Sequence, residues 1–397
     1  MNPNLSLYEF INSNLKRFPW SYSNAPATLR AVFDVLVAAH VKSWSGVERW
    51  SFDNITVKKI QHFFNTSLFS LRLFTEDVNN NFNKVDKRER FVTSSDDTHE
   101  ERYGKKVYGA SYYKSHTNKG FEFGNTLVTN QIISKSYHDV RFKPYLAEKY
   151  LEKTNMDVSD FESKSEIAQN FFLESIIVLV QKGVQKNHIY CTSDSWYISN
   201  PLTTLLDKQG VNYVLGCKNN AKISLFGKEY NLDVLQEKIQ SWKKYSDPFT
   251  KSITYYKIKT YYFLNYGKLR VFMIKRSSNE KIRYYVTNNL KMTIQTFCLL
   301  WKDHWGIETF HEYAKKFFGL EDCYSGRKET NIVHWTIVKL LYLFFYHYKR
   351  KINKIYPHIT MNMLWELYCA EYDYERSIKF HQKREKFILL KRRILKY

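Results

Sequence analysis

The hydrophobic period of the chain changes at Arg90, and that change limits what it can fold into. Before it, apolar residues recur at spacings of three and four (Leu29, Val32, Phe33, Leu36, Val37, then Val57, Ile60, Phe63, Phe64), which predicts helices. After it, Phe91–Ser95, Lys106–Lys114 and Thr126–Ser134 read as strands separated by the turn-rich stretches DDTHEERYGK and SHTNKGFEFGN. A helix over Lys164–Lys182, a strand over His188–Ser193, a helix over Pro201–Lys208 and a strand over Val211–Gly216 follow. Three meandering strands and then alternating helices and strands predict an α/β fold, a mixed sheet with helices on its faces.

Three further segments complete the plan. Lys251–Asn265, Lys268–Lys275 and Ile282–Asn288 predict a β-rich insertion, and Thr293–Phe318 predicts one long helix. The apolar helix Trp335–Tyr348 is expected to bury itself against the sheet. The expected domains are therefore a helical N-terminal domain (1–88), a first part of the core (89–216), the insertion (217–292), a second part of the core (293–350) and a basic helical tail (351–397), which ends KREKFILLKRRILKY.

Charge narrows the partner. The 397 residues carry 61 Lys and Arg against 39 Asp and Glu, a net +22, while 44% hydrophobic and 17% aromatic content excludes a disordered polycation. The excess is concentrated: residues 217–291 hold 16 basic and 5 acidic side chains, and residues 331–397 hold 14 and 5. Such charge implies a polyanionic partner, with Lys-rich solvated faces as the plain alternative. In the insertion, Lys251, Lys257 and Lys259 alternate with Tyr255, Tyr256, Tyr261, Tyr262 and Phe263. That mixture suits phosphate neutralisation and base stacking, although a two-faced strand with tyrosines packed inside accounts for most of it. The N-terminal helices, with N-cap types in SFDNIT (Ser51–Thr56), fit either a helix-turn-helix-like DNA-binding module or a packing domain.

Other classes drop out. The five cysteines (191, 217, 298, 323, 369) form no Cys-x-x-Cys pair, which argues against a disulfide scaffold or structural zinc. The N-terminus shows no secretory pattern, and the run Trp335–Tyr348, broken by Lys339 and His347, falls short of the ~20 apolar residues of a membrane span. A cytoplasmic protein with no membrane partner is expected.

Three carboxylates stand where a structural role is hard to supply: Asp97 (or its neighbour Asp96) at the end of the first strand, Asp194 at the end of the fourth, and Glu308 within the later helix. Strand ends and a crossing helix can converge on one point, and converging acids call for a cation. Oxygen ligation with no His or Cys beside it suggests a hard ion, Mg²⁺ or Mn²⁺. Around Glu308 the helix reads WKDHWGIETFHEYAKK, and at about 100° per residue Trp301, Glu308 and Lys315 share a stripe with His304 beside it.

SDDTHEERYGKK, YCTSDSWYISNPLTTLLDKQGVNYVLGCKNN and WKDHWGIETFHEYAKKFFGLEDCYSGR together resemble the three acidic motifs of DDE transposases of bacterial insertion sequences, in the group with a β-strand insertion before the final Glu. Trp301, His304, Glu308 and Lys315 keep every spacing of that group's Tyr-x2-Arg-x3-Glu-x6-Lys pattern. The resemblance covers about residues 90–350 and implies an RNase H-like core. It further implies catalysis by Asp97, Asp194 and Glu308 through two Mg²⁺ ions, with Mn²⁺ able to substitute. The family commonly places its first Asp directly before Thr, which favours Asp97 over Asp96. DNA contacts are implied for Trp301, His304 and Lys315, and Trp242 of QSWKKY is a candidate stacking residue or a core tryptophan. His304 departs from the family's Arg and loses its bidentate grip on phosphate. The resemblance also implies cleavage at the terminal inverted repeats of an element, transfer of 3′-hydroxyls into target double-stranded DNA, a homodimer on DNA and association with the bacterial nucleoid. An RNase H-like nuclease that cuts without joining, and a domesticated DNA-binding protein, are the alternatives.

Overall fold

The computed structural model describes residues 6–39, 43–51, 55–102, 104, 106–114, 120–235, 241–247, 252–277 and 280–394. Residues 52–54 of SFDNIT, Lys251 and the last three residues of the basic tail lie outside that set. The chain divides into two compact units, 83–100 with 109–309, and 1–82 with 101–108 and 310–397.

The second of these is helical at its N-terminal end: α1 (Leu7–Arg17), α2 (Ala25–Asp34) running into a π-helical turn (Val35–Ala39), α3 (Trp44–Trp50), α4 (Val57–Thr66) and α5 (Leu68–Phe82). Ser6 and Glu9 form a capping box that starts α1, and Thr56 caps α4 by accepting from the Lys59 amide.

The other unit holds the sheet. Its strands are β1 (Phe91–Glu101, whose last residue passes into the helical unit), β2 (Ser111–Lys114), β3 (Phe121–Ile133), β4 (His138–Tyr145), β5 (Ile189–Ser193), β6 (Asn212–Cys217), β7 (Lys222–Leu225), β8 (Lys228–Asn231), β9 (Lys243–Ser246), β10 (Ile253–Phe263), β11 (Gly267–Lys275) and β12 (Arg283–Thr287). They run in the order β2-β3-β1-β5-β6-β12-β11-β10-β7-β8, with β4 on β3 and β9 on β10. β1, β5 and β6 are parallel, and β12 joins β6 antiparallel, so the sheet is mixed, as the element order requires. The inserted strands extend this sheet. β1 also continues through DDTHE, where the sequence suggested a turn.

Helices α6 (Glu148–Lys153), α7 (Lys164–Gln181), α8 (Asn200–Gln209) and α9 (Ile294–His304) belong to the sheet unit. Ser163 and Glu166 box the start of α7, and Ser199 with Pro201 starts α8. One face of the sheet packs Phe91, Val128, Cys191 and Tyr213 under Ile167, Phe172, Leu202 and Leu206 of α7 and α8. The other packs Val92, Val214 and Phe272 under Ile294, Phe297 and Leu300 of α9.

The expected single helix over 293–318 is two, α9 and α10 (Gly306–Phe317), broken at Trp305. The helical unit is completed by α11 (Lys328–Ile352) and α12 (Met361–Ile394). α11 contains the apolar run expected on the sheet, yet it packs on α1, α4, α5 and α12. Its burial is nearly all-round (Val333, Trp335, Ile337, Leu340, Phe344), and helices surround it.

Candidate active site

Asp96 and Asp97 are neighbours in β1, so strand alternation sends them to opposite faces. Asp96 shares the face of Val92, under α9, and Asp97 that of Phe91, under α7. The parallel register pairs Ser95 with Ser193. One step further it brings Asp96 abreast of Asp194, and laterally adjacent residues point to the same side. Gly216 in β6 makes room there. A Cβ at that position would meet the Ser195 amide nitrogen at 2.5 Å and the Asp194 carbonyl carbon at 3.0 Å, so a larger residue would block the turn that follows Asp194.

Glu308 lies in the first turn of α10. Its carboxylate and that of Asp96 offer oxygens within 4.8 Å of each other. Burial, then the negative charges of Glu308, Asp97 and Asp194, push the Asp96 carboxyl well above the usual aspartate range. A divalent cation would reverse that preference, so these carboxylates fit a divalent ion. His311, three residues on in α10, lies on the Glu308 side of the helix by its period, an imidazole the oxygen-only reading left out.

Asp97 is differently placed. It accepts from Lys164 Nζ at 2.8 Å and from the Tyr197 hydroxyl at 2.7 Å, with His99 Nε2 at 3.5 Å. Burial alone would raise its pKa, but Lys164, Tyr197 and His99 hold it below the usual range. Lys164 is the first residue of α7, so this carboxylate fastens that helix to β1.

Asp194 and Glu308 open into a cleft of about 900 Å³ whose walls include Trp242, Lys275, Lys281, Arg283 and Trp301. The Lys275 ammonium sits 4.5 Å over the Trp242 ring, which also packs partly on the core beneath. Trp301 is half-buried, stacked on His304 at 4.2 Å and edge-on to Tyr285 at 4.4 Å.

His304 is only 3% exposed. Its Nδ1 lies 3.1 Å from the Thr192 hydroxyl and its Nε2 lies 3.7 Å from Asp194, so the ring supports an acid from beneath. Lys315, in the last turn of α10, belongs to the helical unit and pairs with Glu321 at 3.5 Å. Sequence reasoning passed over Lys164, Tyr197, Thr192 and Gln131. The available signal was a run of Thr, Ser, Asn and Gln inside strands (TSS at 93–95, TNQ at 129–131), all fully buried.

Residues 166–344 match a protein family described as the transposase DDE domain. The matched segment includes Asp194 and Glu308 and begins beyond the paired aspartates. No curated protein matches the chain.

Proposed function

We propose that this chain, which carries a DDE-type transposase domain of the polynucleotidyl transferase and endonuclease class, mobilises an insertion sequence by cutting at its ends and joining the freed 3′-hydroxyls to target DNA. The observation that carries this reading is that Asp96 and Glu308 offer oxygens within 4.8 Å of each other and that Glu308 and Asp194 line one cleft. Asp96, Asp194 and Glu308 would hold the divalent cations, two Mg²⁺ or Mn²⁺ in their place. When bound, these ions supply the charge that activates a water or DNA 3′-hydroxyl and stabilises the leaving oxygen.

The rest is done by the chain's own groups. Lys275, Lys281 and Arg283 neutralise the DNA backbone along the cleft wall, and Trp242 offers a flat surface beside them. Trp301 and His304 shape the floor. Asp97 keeps β1 and α7 together, which steadies the strand that sets Asp96 beside Glu308. Lys315, in the last turn of α10, is read as a further DNA contact. Action on both ends of an element at once calls for a homodimer on DNA, and the net charge of +22 suits work on the nucleoid in the bacterial cytoplasm. No helix among the described residues is long and apolar enough to cross a membrane.

The test is a joining assay with Mg²⁺, labelled element-end DNA from the flanks of the coding sequence and a supercoiled plasmid. Labelled plasmid is expected. Nicking with no joined product under any condition would leave a nuclease instead, and end binding without cleavage would leave a DNA-binding protein.

A further inference from the structure

The three acids stand on three separate elements, and directly beneath them lies a layer of buried polar side chains. Ser94 is two residues before Asp96 in β1, Thr192 of β5 two before Asp194, which follows that strand, and His304 four before Glu308 across the α9–α10 break. Each is therefore the next side chain down on its acid's own face. Ser94 Oγ and Thr192 Oγ1 are 2.7 Å apart, and Thr192 Oγ1 is 3.1 Å from His304 Nδ1. The layer thus links β1 to β5 and β5 to α9.

Gln131 of β3 closes it. Its Nε2 donates to the carbonyl oxygens of Asp303 at 2.9 Å and His304 at 3.2 Å, and reaches Ser94 Oγ at 3.4 Å. Those carbonyls lie at the break between α9 and α10, and a side chain inserted into the helical ladder is a recognised cause of such a break. Gly306 completes the fit, since a Cβ there would meet Gln131 Oε1 at 2.8 Å and Nε2 at 3.1 Å. Gln131 is fully buried, and its Oε1 has no hydrogen-bond partner among the described residues. An unsatisfied buried acceptor is destabilising, and an apolar side chain of similar size would carry none.

We infer that Gln131 is a positioning residue: it wedges open the α9–α10 break over Gly306 and, through Ser94, Thr192 and His304, fixes the height at which Glu308 meets Asp96 and Asp194. The inference rests on the metal-binding reading of those acids. The break stands between α9, which packs on the sheet, and the first turn of α10, which carries Glu308, so it bears on how that carboxylate meets Asp96 and Asp194.

The test uses the full chain and two readouts. Mn²⁺ affinity is followed by the electron paramagnetic resonance signal of the free ion, and end cleavage is timed at saturating metal and DNA. Gln131→Leu is expected to weaken Mn²⁺ binding about tenfold, as loss of an outer support does elsewhere, and to slow cleavage without changing affinity for end DNA. Its thermal midpoint should stay within about 2 °C of the parent. Gly306→Ala should reproduce the loss alone and add little in a Gln131→Ala background, where the atoms it collides with are gone. Unchanged Mn²⁺ affinity and cleavage in Gln131→Leu would overturn the inference, as would losses that simply follow a fall in the midpoint. Asp194→Asn separates the two readings. If it weakens Mn²⁺ binding while Gln131→Leu does not, only the inference fails; if it leaves binding intact, the reading of the acids fails and takes the inference with it.

Discussion

Asp96 and Asp97 are the same residue type, adjacent in one strand, and the fold gives them opposite lives. Asp96 faces Glu308 and Asp194 and is driven towards its neutral form by burial and those charges. Asp97 faces Lys164, Tyr197 and His99 and is held ionised. The difference teaches that the sign of the neighbourhood, more than the residue, separates a carboxylate that can receive a cation from one already satisfied. A supplied ammonium makes a strut, and an accumulation of acids makes a setting that a cation would relieve.

The largest effect that could break this comparison is on chemistry. Asp96→Asn, Asp194→Asn and Glu308→Gln should each lower end cleavage and joining by at least about a thousandfold, the scale of losing a group that acts in the transition state, while gel-shift affinity for end DNA survives. Asp97→Asn should retain measurable cleavage. Activity abolished by Asp97→Asn and spared by Asp96→Asn would reverse the two roles.

Next comes a background that any acid titration of the pair has to subtract. His334 in α11 is fully buried and lies 2.8 Å from the Gly319 carbonyl oxygen through Nε2, and burial lowers its pKa to about 4. The unfolded chain, with an ordinary His near 6.5, binds this proton first as pH falls. Its contribution is therefore whole above about pH 6.5 and lost progressively down to about pH 4, some 3 kcal/mol in all. Urea melts across that range should show the decline, and His334→Gln should flatten it.

Asp97→Asn itself should cost about 2 kcal/mol, below the usual 3–5 for a broken buried pair because Lys164 keeps some contact with water. The Lys164→Met, Asp97→Asn double variant should recover part of that loss in denaturant unfolding. Full additivity of the two single losses would mean that the pair does not act as a unit.

The smallest effect concerns the cleft wall. Trp242→Ala should raise the dissociation constant for end DNA about fivefold, near 1 kcal/mol, at the low end for one aromatic stacking surface. The cleavage rate at saturating DNA should not move, and a loss confined to that rate would place Trp242 nearer the chemistry than the acids' floor.

Much of the fold was legible because it depends on local periods. Strands β5, β6, β11 and β12 and helices α7 and α8 fall within a few residues of where alternation, caps and turn residues put them. The break at Trp305 was not legible in the helical period, and the side chain that bonds the carbonyls there, Gln131, is more than 170 residues away in the chain. The burial of His304 was hidden for the same reason: a histidine beside a stripe of Trp, Glu and Lys reads as a DNA contact until Thr192 and Asp194 close over it. The place of α11 was missed because an all-round apolar helix records that it is buried, not what covers it.

The amino-acid order alone determined that a basic chain would build a helix-flanked mixed sheet and carry one acid on the first strand, one after a later strand and one on a helix, since periodicity and residue type are local properties. Which aspartate joins the others was decided only by tertiary structure. Strand alternation separates Asp96 from Asp97, but the choice between them comes from the 95-to-193 register and from the helix that lies over that face, and both are fixed by contacts between residues distant in the chain.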